Sequence, residues 1–110
     1  MIDWPKVEQL RAEIGSEDFD EVVNLFLNEI AEIMTRLEIS PDVSTLEADL
    51  HLLKGTALNL GFGNLGVSCA EAERQLMTGT QASVDIPKLM HVYQASIAEF
   101  TKQLGQDKAA

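Results

Sequence analysis

Between His51 and Gly55 the chain sets a histidine, a lysine and a glycine close together, His51, Lys54 and Gly55, and these residue types suit phosphoryl chemistry. An imidazole that stays in water is largely neutral near pH 7, and in that form it is a nucleophile. Lys54 follows three residues later, which on a helix makes it a surface neighbour able to reach an anion carried by the ring, and a phosphoryl group is the anion an ammonium suits well. Gly55 is a poor helix former, by about 1 kcal/mol relative to alanine. Removing a side chain beside a nucleophile lets a second protein approach the ring, although a tight helix-helix contact would also call for glycine.

The element that must position these residues is an amphipathic helix. Leu46, Leu50, Leu53, Ala57 and Leu60 recur at three- and four-residue spacing and form one apolar stripe. At about 100° per residue, His51 points roughly 140° away from the middle of that stripe and should face water. Gly55, Leu58 and Phe62 fall close to the same line, and Leu52 lies on the outer surface as well. Leu52, Leu58 and Phe62 around one polar nucleophile suggest a docking patch, unless the first helix covers them. Glu47, one turn before His51, is placed for an i to i+4 contact with it.

Five helical segments are predicted, and no strand pattern competes with them. Asp3 caps a short first helix of about residues 3–14, which Gly15 ends. Ser16 caps a long second helix, with Glu17 and Asp18 in its first turn and Phe19, Val22, Val23, Phe26, Leu27, Ile30, Ile33, Met34 and Leu37 as its apolar stripe. A turn over Ile39 to Val43 contains Pro41. Ser44 and Glu47 read as a capping box that starts the histidine helix, and Gly61-Phe62-Gly63 ends it. Asn64 is the expected cap of a fourth helix that turns Leu65, Cys69, Ala72 and Leu76 inward and stops near Gly79. After a polar loop, Asp85 caps a last helix whose inner face is Leu89, Val92, Tyr93, Ser96, Ile97, Phe100 and Leu104. Gly105 is expected to close it and Gln106 to Ala110 to fray. The fold class is therefore all-α, and four long helices with short connections pack most simply as an antiparallel up-down-up-down four-helix bundle over residues 16–105. The short first helix would cap one end and bury Trp4.

Composition narrows the function. With 110 residues and 45% apolar content the chain can build one core, and a net charge of -10 with eight basic residues argues against nucleic acid as a partner. No long apolar run or signal-peptide pattern is present, so neither membrane insertion nor export is expected. A lone cysteine, Cys69, cannot form an internal disulfide and reads as a small buried residue in a reducing, cytoplasmic setting. His91 reads as structural, near the core side of the last helix or on its flank. Two distant histidines and scattered acids do not make a zinc pattern, and no phosphate-binding glycine loop of the ATP-dependent kind occurs.

The run His51, Leu53, Lys54, Gly55, Thr56, Ala57, Leu60 and Gly61 resembles the motif of the histidine-containing phosphotransfer (HPt) domains of multistep phosphorelays. A second signature of that family looks like Leu65, Cys69, Ala72 and Glu73. Two positions depart from it: Leu50 stands where alanine is frequent, and the apolar slot before Glu73 holds the small Ala72. The resemblance implies one HPt domain over residues 1–110, a phosphoryl carrier rather than a kinase, with His51 as phosphoacceptor on the ring nitrogen farther from the backbone and Lys54 stabilising the phosphoryl group. It places at Glu73 a residue that can hydrogen-bond and orient the histidine ring. It also implies receiver domains of response regulators and hybrid sensor histidine kinases as partners, no cofactor on this chain, Mg2+ on the receiver, and a monomer. A helical adaptor that binds a partner without chemistry is the rival reading.

Overall fold

The computed structural model describes residues 2–39, 43–79 and 84–109, and among them every regular element is an α-helix. These are α1 (Trp4–Ile14), α2 (Ser16–Ile39), α3 (Val43–Leu60), α4 (Gly63–Thr78) and α5 (Ile86–Ala109). Of the turn expected over Ile39 to Val43, Ile39 ends α2 and Val43 opens α3, while residues 40–42, like the loop residues 80–83, lie outside the described residues.

Local chemistry starts and stops these helices. Asp3 is the N-cap of α1, its Oδ1 accepting the Lys6 N–H at 3.2 Å, and Pro5 sits in the first turn where its missing N–H costs nothing. Gly15 ends α1 with a φ of 95° while its N–H donates to the Arg11 carbonyl at 2.8 Å. Asp85 caps α5 by accepting the Lys88 N–H at 3.0 Å.

Four boundaries differ from the expectation. Helix α2 takes Ser16, its expected cap, as its first residue, and α3 starts at Val43, one residue ahead of its expected cap Ser44. Phe62, not Asn64, is the N-cap of α4, and no side-chain bond caps that helix. Helix α5 continues through Gly105 to Ala109, because glycine stops a helix by turning left-handed and only Gly15 and Gly61 have positive φ among the described residues.

Packing follows the apolar stripes. Helix α2 packs on α3, α3 on α4, α4 on α5, and α5 returns to α2, while α1 lies against α2 and α3. The α3 stripe of Leu46, Leu50, Leu53, Ala57 and Leu60 is fully buried, together with Ile30, Ile33, Met34 and Leu37 of α2, Leu65 and Cys69 of α4, and Leu89 and Phe100 of α5. Burying each such leucine stabilises the fold by about 2 kcal/mol. Arg36 on α2 adds a polar tie to Asp49 on α3 at 2.9 Å. The hydrogen bond to Asp49 raises the Arg36 pKa, with desolvation opposing it.

The join between α3 and α4 is built on Gly61. The Phe62 N–H donates to the Ala57 carbonyl at 2.7 Å and the Gly61 N–H to that of Leu58 at 3.2 Å, the paired bonds of a Schellman stop, with Gly61 at φ 91°. The Asp3 N–H donates to the Gly61 carbonyl at 2.7 Å, so the start of α1 rests on this elbow. Phe62 swings inward, its ring meeting Phe100 edge-on at 5.2 Å, and Trp4 stacks on the same Phe100 at 5.8 Å and 8°. A Cβ at Gly61 would lie 2.8 Å from Val7 Cγ2 and 2.9 Å from the Asp3 carbonyl oxygen. Gly61→Ala is therefore expected to cost about 3 kcal/mol, from left-handed backbone strain plus this overlap. Urea unfolding measures it, and a midpoint equal to that of the wild type would contradict the account.

Candidate functional site

Helix α3 buries one face and offers the other, and the offered face carries the chemistry. His51 is exposed, with 74% of its side chain accessible. Lys54, one turn on, is partly sheltered and leans toward α4. There Glu73 receives both: its Oε2 lies 3.5 Å from His51 Nδ1 and its Oε1 lies 3.1 Å from Lys54 Nζ. The carboxylate touching the ring is thus that of Glu73 on the neighbouring helix, while Glu47 remains exposed on α3. With Nδ1 turned to Glu73, the ring presents its other nitrogen, Nε2, away from the carboxylate.

Register makes this meeting possible. Leu58 on α3 covers Gly66 on α4, and seven residues further along α4 Glu73 meets His51, seven residues earlier on α3. The two helices therefore run in opposite directions in close contact. Gly66 leaves room for the Leu58 side chain: a Cβ there would lie 2.7 Å from Leu58 Cγ, and Leu58 would have to shift. Gly66 is a site-forming residue that the sequence reading passed over. The available signal was its spacing of two helical turns from Glu73, which puts both on one face of α4.

Gly55 has the opposite character. It is exposed, and a Cβ built on it would meet nothing within 4 Å, so no helix-helix contact accounts for it. Beside it Leu52 and Leu58 are 46% and 45% exposed, and Val67 on α4 adds further exposed apolar surface.

Phe62 does not join them. It was expected on the exposed line with His51, yet it is fully buried. Helix α3 ends at Leu60, so the projection of 100° per residue stops applying, and the left-handed Gly61 turns the next residue into the core. An apolar residue directly after a helix-ending glycine commonly packs back on the last turn, and that signal was present in Gly61-Phe62. His91 is exposed on α5, remote in sequence from this cluster and facing solvent rather than the core.

Beneath the polar pair sits Cys69, one turn before Glu73 and completely buried. Burial, reinforced by the Glu73 carboxylate and opposed by Lys54, pushes its thiol up to about 12. Among the described residues no group of three His, Cys, Asp or Glu side chains is placed to hold a metal ion, and no helix is long and apolar enough to cross a membrane. A neutral, inaccessible thiol should react with iodoacetamide at pH 8 on the order of a thousandfold more slowly in the folded protein than in urea. Similar rates in the two states would show that Cys69 is not where the fold puts it.

Compared with models of protein families, residues 21–106 match the one described as the Hpt domain. That span starts within α2 and takes in α3, α4 and most of α5. No curated protein and no solved structure matches the chain.

Proposed function

This chain belongs to the Hpt domain family, whose members carry phosphoryl groups in two-component phosphorelays without being kinases, and from that membership we propose that His51 is its phosphoacceptor. The observation that carries the reading is the exposed His51 ring, held on its Nδ1 side by Glu73, with the Lys54 ammonium one turn away. Transfer takes place in line. The Nε2 lone pair attacks the phosphorus of an aspartyl phosphate on a receiver domain, the N–P bond forms as the P–O bond to the aspartate breaks, and the carboxylate leaves. The reverse step delivers the group to a second receiver. Positioning and neutralisation of charge supply most of the rate in such a reaction, and Lys54 contributes the local positive charge.

Helices α2 to α5 form the antiparallel up-down-up-down four-helix bundle of one HPt domain, with α1 as a short extra helix at one end. The bundle gives α3 the rigidity to hold the ring outward. Receiver domains of response regulators and hybrid sensor histidine kinases dock over Gly55, with Leu52 and Leu58 supplying apolar contact. Magnesium belongs to the receiver, beside its aspartate, and this chain acts as a cytoplasmic monomer with no cofactor of its own.

The test is to mix the purified protein with a receiver domain charged by acetyl phosphate. Acid-labile, base-stable phosphate is expected on the wild type and none on His51→Gln. Equal labelling of the two would reject His51, and labelling of neither alongside receiver binding would favour a non-catalytic adaptor.

Gly55 yields a second test because its conformational cost and its proposed use have opposite signs. Glutamine is the better helix former, so Gly55→Gln should raise stability by about 0.5 kcal/mol. The same substitution fills the open space beside His51 and should weaken receiver binding tenfold or more, by about 1.4 kcal/mol. Unfolding midpoints and titration against the receiver measure both, and undiminished binding would remove Gly55 from the docking surface.

A further inference from the structure

We propose that Glu73 is the resident counter-ion of the site, holding Lys54 in the unphosphorylated protein and ceding it to the phosphoryl group when His51 is loaded, so that the phosphohistidine is kept in a readily transferable state. This inference rests on the reading of His51 as phosphoacceptor. Three observations lead to it. One carboxylate contacts both partners through separate oxygens, Oε2 to His51 Nδ1 at 3.5 Å and Oε1 to Lys54 Nζ at 3.1 Å. The Glu73 side chain is only 20% exposed, so the charge is fixed in the seam between α3 and α4. Its Oε1 is closed off from solvent and, close as Nζ is, has no aligned hydrogen bond.

The third observation makes the pair ready to exchange. A buried oxygen facing an ammonium without good alignment gains charge attraction but not the full strength of a charge-assisted hydrogen bond. A phosphoryl group on the ring offers Lys54 three anionic oxygens at the open surface, where the lysine can align with them. Lys54 then turns outward, and Glu73 retains His51 Nδ1.

Holding Nδ1 matters to the chemistry. When Nε2 attacks phosphorus, a ring that began with its proton on Nδ1 becomes a phosphoimidazolium, with the proton still on Nδ1. In the return step a receiver carboxylate attacks phosphorus, the N–P bond breaks, and the ring leaves as neutral imidazole carrying that same proton. No proton is exchanged in either direction. Loss of the Nδ1 proton to water would leave a neutral phosphoimidazole, which is a poorer phosphoryl donor. The negative charge of a carboxylate beside Nδ1 opposes the phosphoryl charge nearby. That opposition shortens the life of the loaded state, and a neutral amide in the same place would not provide it.

The experiment compares wild type, Glu73→Gln, Glu73→Asp, Lys54→Gln and the Lys54→Gln, Glu73→Gln double variant against a receiver domain charged by acetyl phosphate. Phosphohistidine half-life and the transfer equilibrium are read for each, and circular dichroism checks the fold. Glu73→Gln is expected to lengthen the half-life about threefold to tenfold and to move the equilibrium toward His51 by a similar factor, the size of a single nearby charge in partly screened surroundings. Glu73→Asp, which keeps the charge, should stay nearer to the wild type than Glu73→Gln does. Lys54→Gln should shorten the half-life in both backgrounds and should move the transfer equilibrium by a larger factor in the Glu73→Gln background, where no carboxylate holds the lysine before loading. Normal phosphate uptake with half-life and equilibrium unchanged in Glu73→Gln would overturn this role while leaving His51 as acceptor. No uptake by the wild type would overturn the acceptor reading and this inference together.

Discussion

Everything at the surface of this protein depends on how closely α3 and α4 approach each other. Glu73 reaches His51 and Lys54 because the two helices lie in contact in a fixed register, with the Leu58 side chain of α3 seated over Gly66 of α4. A side chain at Gly66 would displace Leu58 from its seat on α4. The Schellman stop at Gly61 fixes the same seam from its end, setting the angle at which α4 leaves α3. Three side chains of ordinary types thus become one unit through backbone geometry established several residues away.

The glycines divide by what surrounds them. Gly61 meets Val7 and the Asp3 carbonyl, which bar a side chain, whereas Gly66 meets the Leu58 side chain, which would have to move to admit one. Gly55 has open space on its exposed side and stands within a helix, where nothing in the fold asks for it. A residue that weakens its own helix without relieving any contact points outward for its explanation, and here outward means the ground beside His51.

Periodicity made most of this legible in the sequence. The α3 stripe from Leu46 to Leu60 is buried to the residue, and the outward setting of His51 followed from the same angular arithmetic. Asp3, Gly15 and Asp85 act as their residue types suggest, because capping is a local matter of one side chain or one φ angle. The arithmetic failed at Phe62, since a helical projection carries no information past a left-handed residue, and at Gly105, which stays helical. Gly66 escaped notice for another reason. Its role is defined by a leucine on a different helix, and a linear pattern does not state which residues meet across a seam. The shared use of Glu73 by both His51 and Lys54 was hidden in the same way, for family resemblance pointed only to the ring.

The aromatic cluster at the elbow has a practical corollary. The chain contains a single tryptophan, and its indole stacks on Phe100, which Phe62 also meets edge-on. Emission from that one fluorophore therefore senses whether the amino-terminal segment, the elbow and the last helix remain assembled, and it does so without any added label.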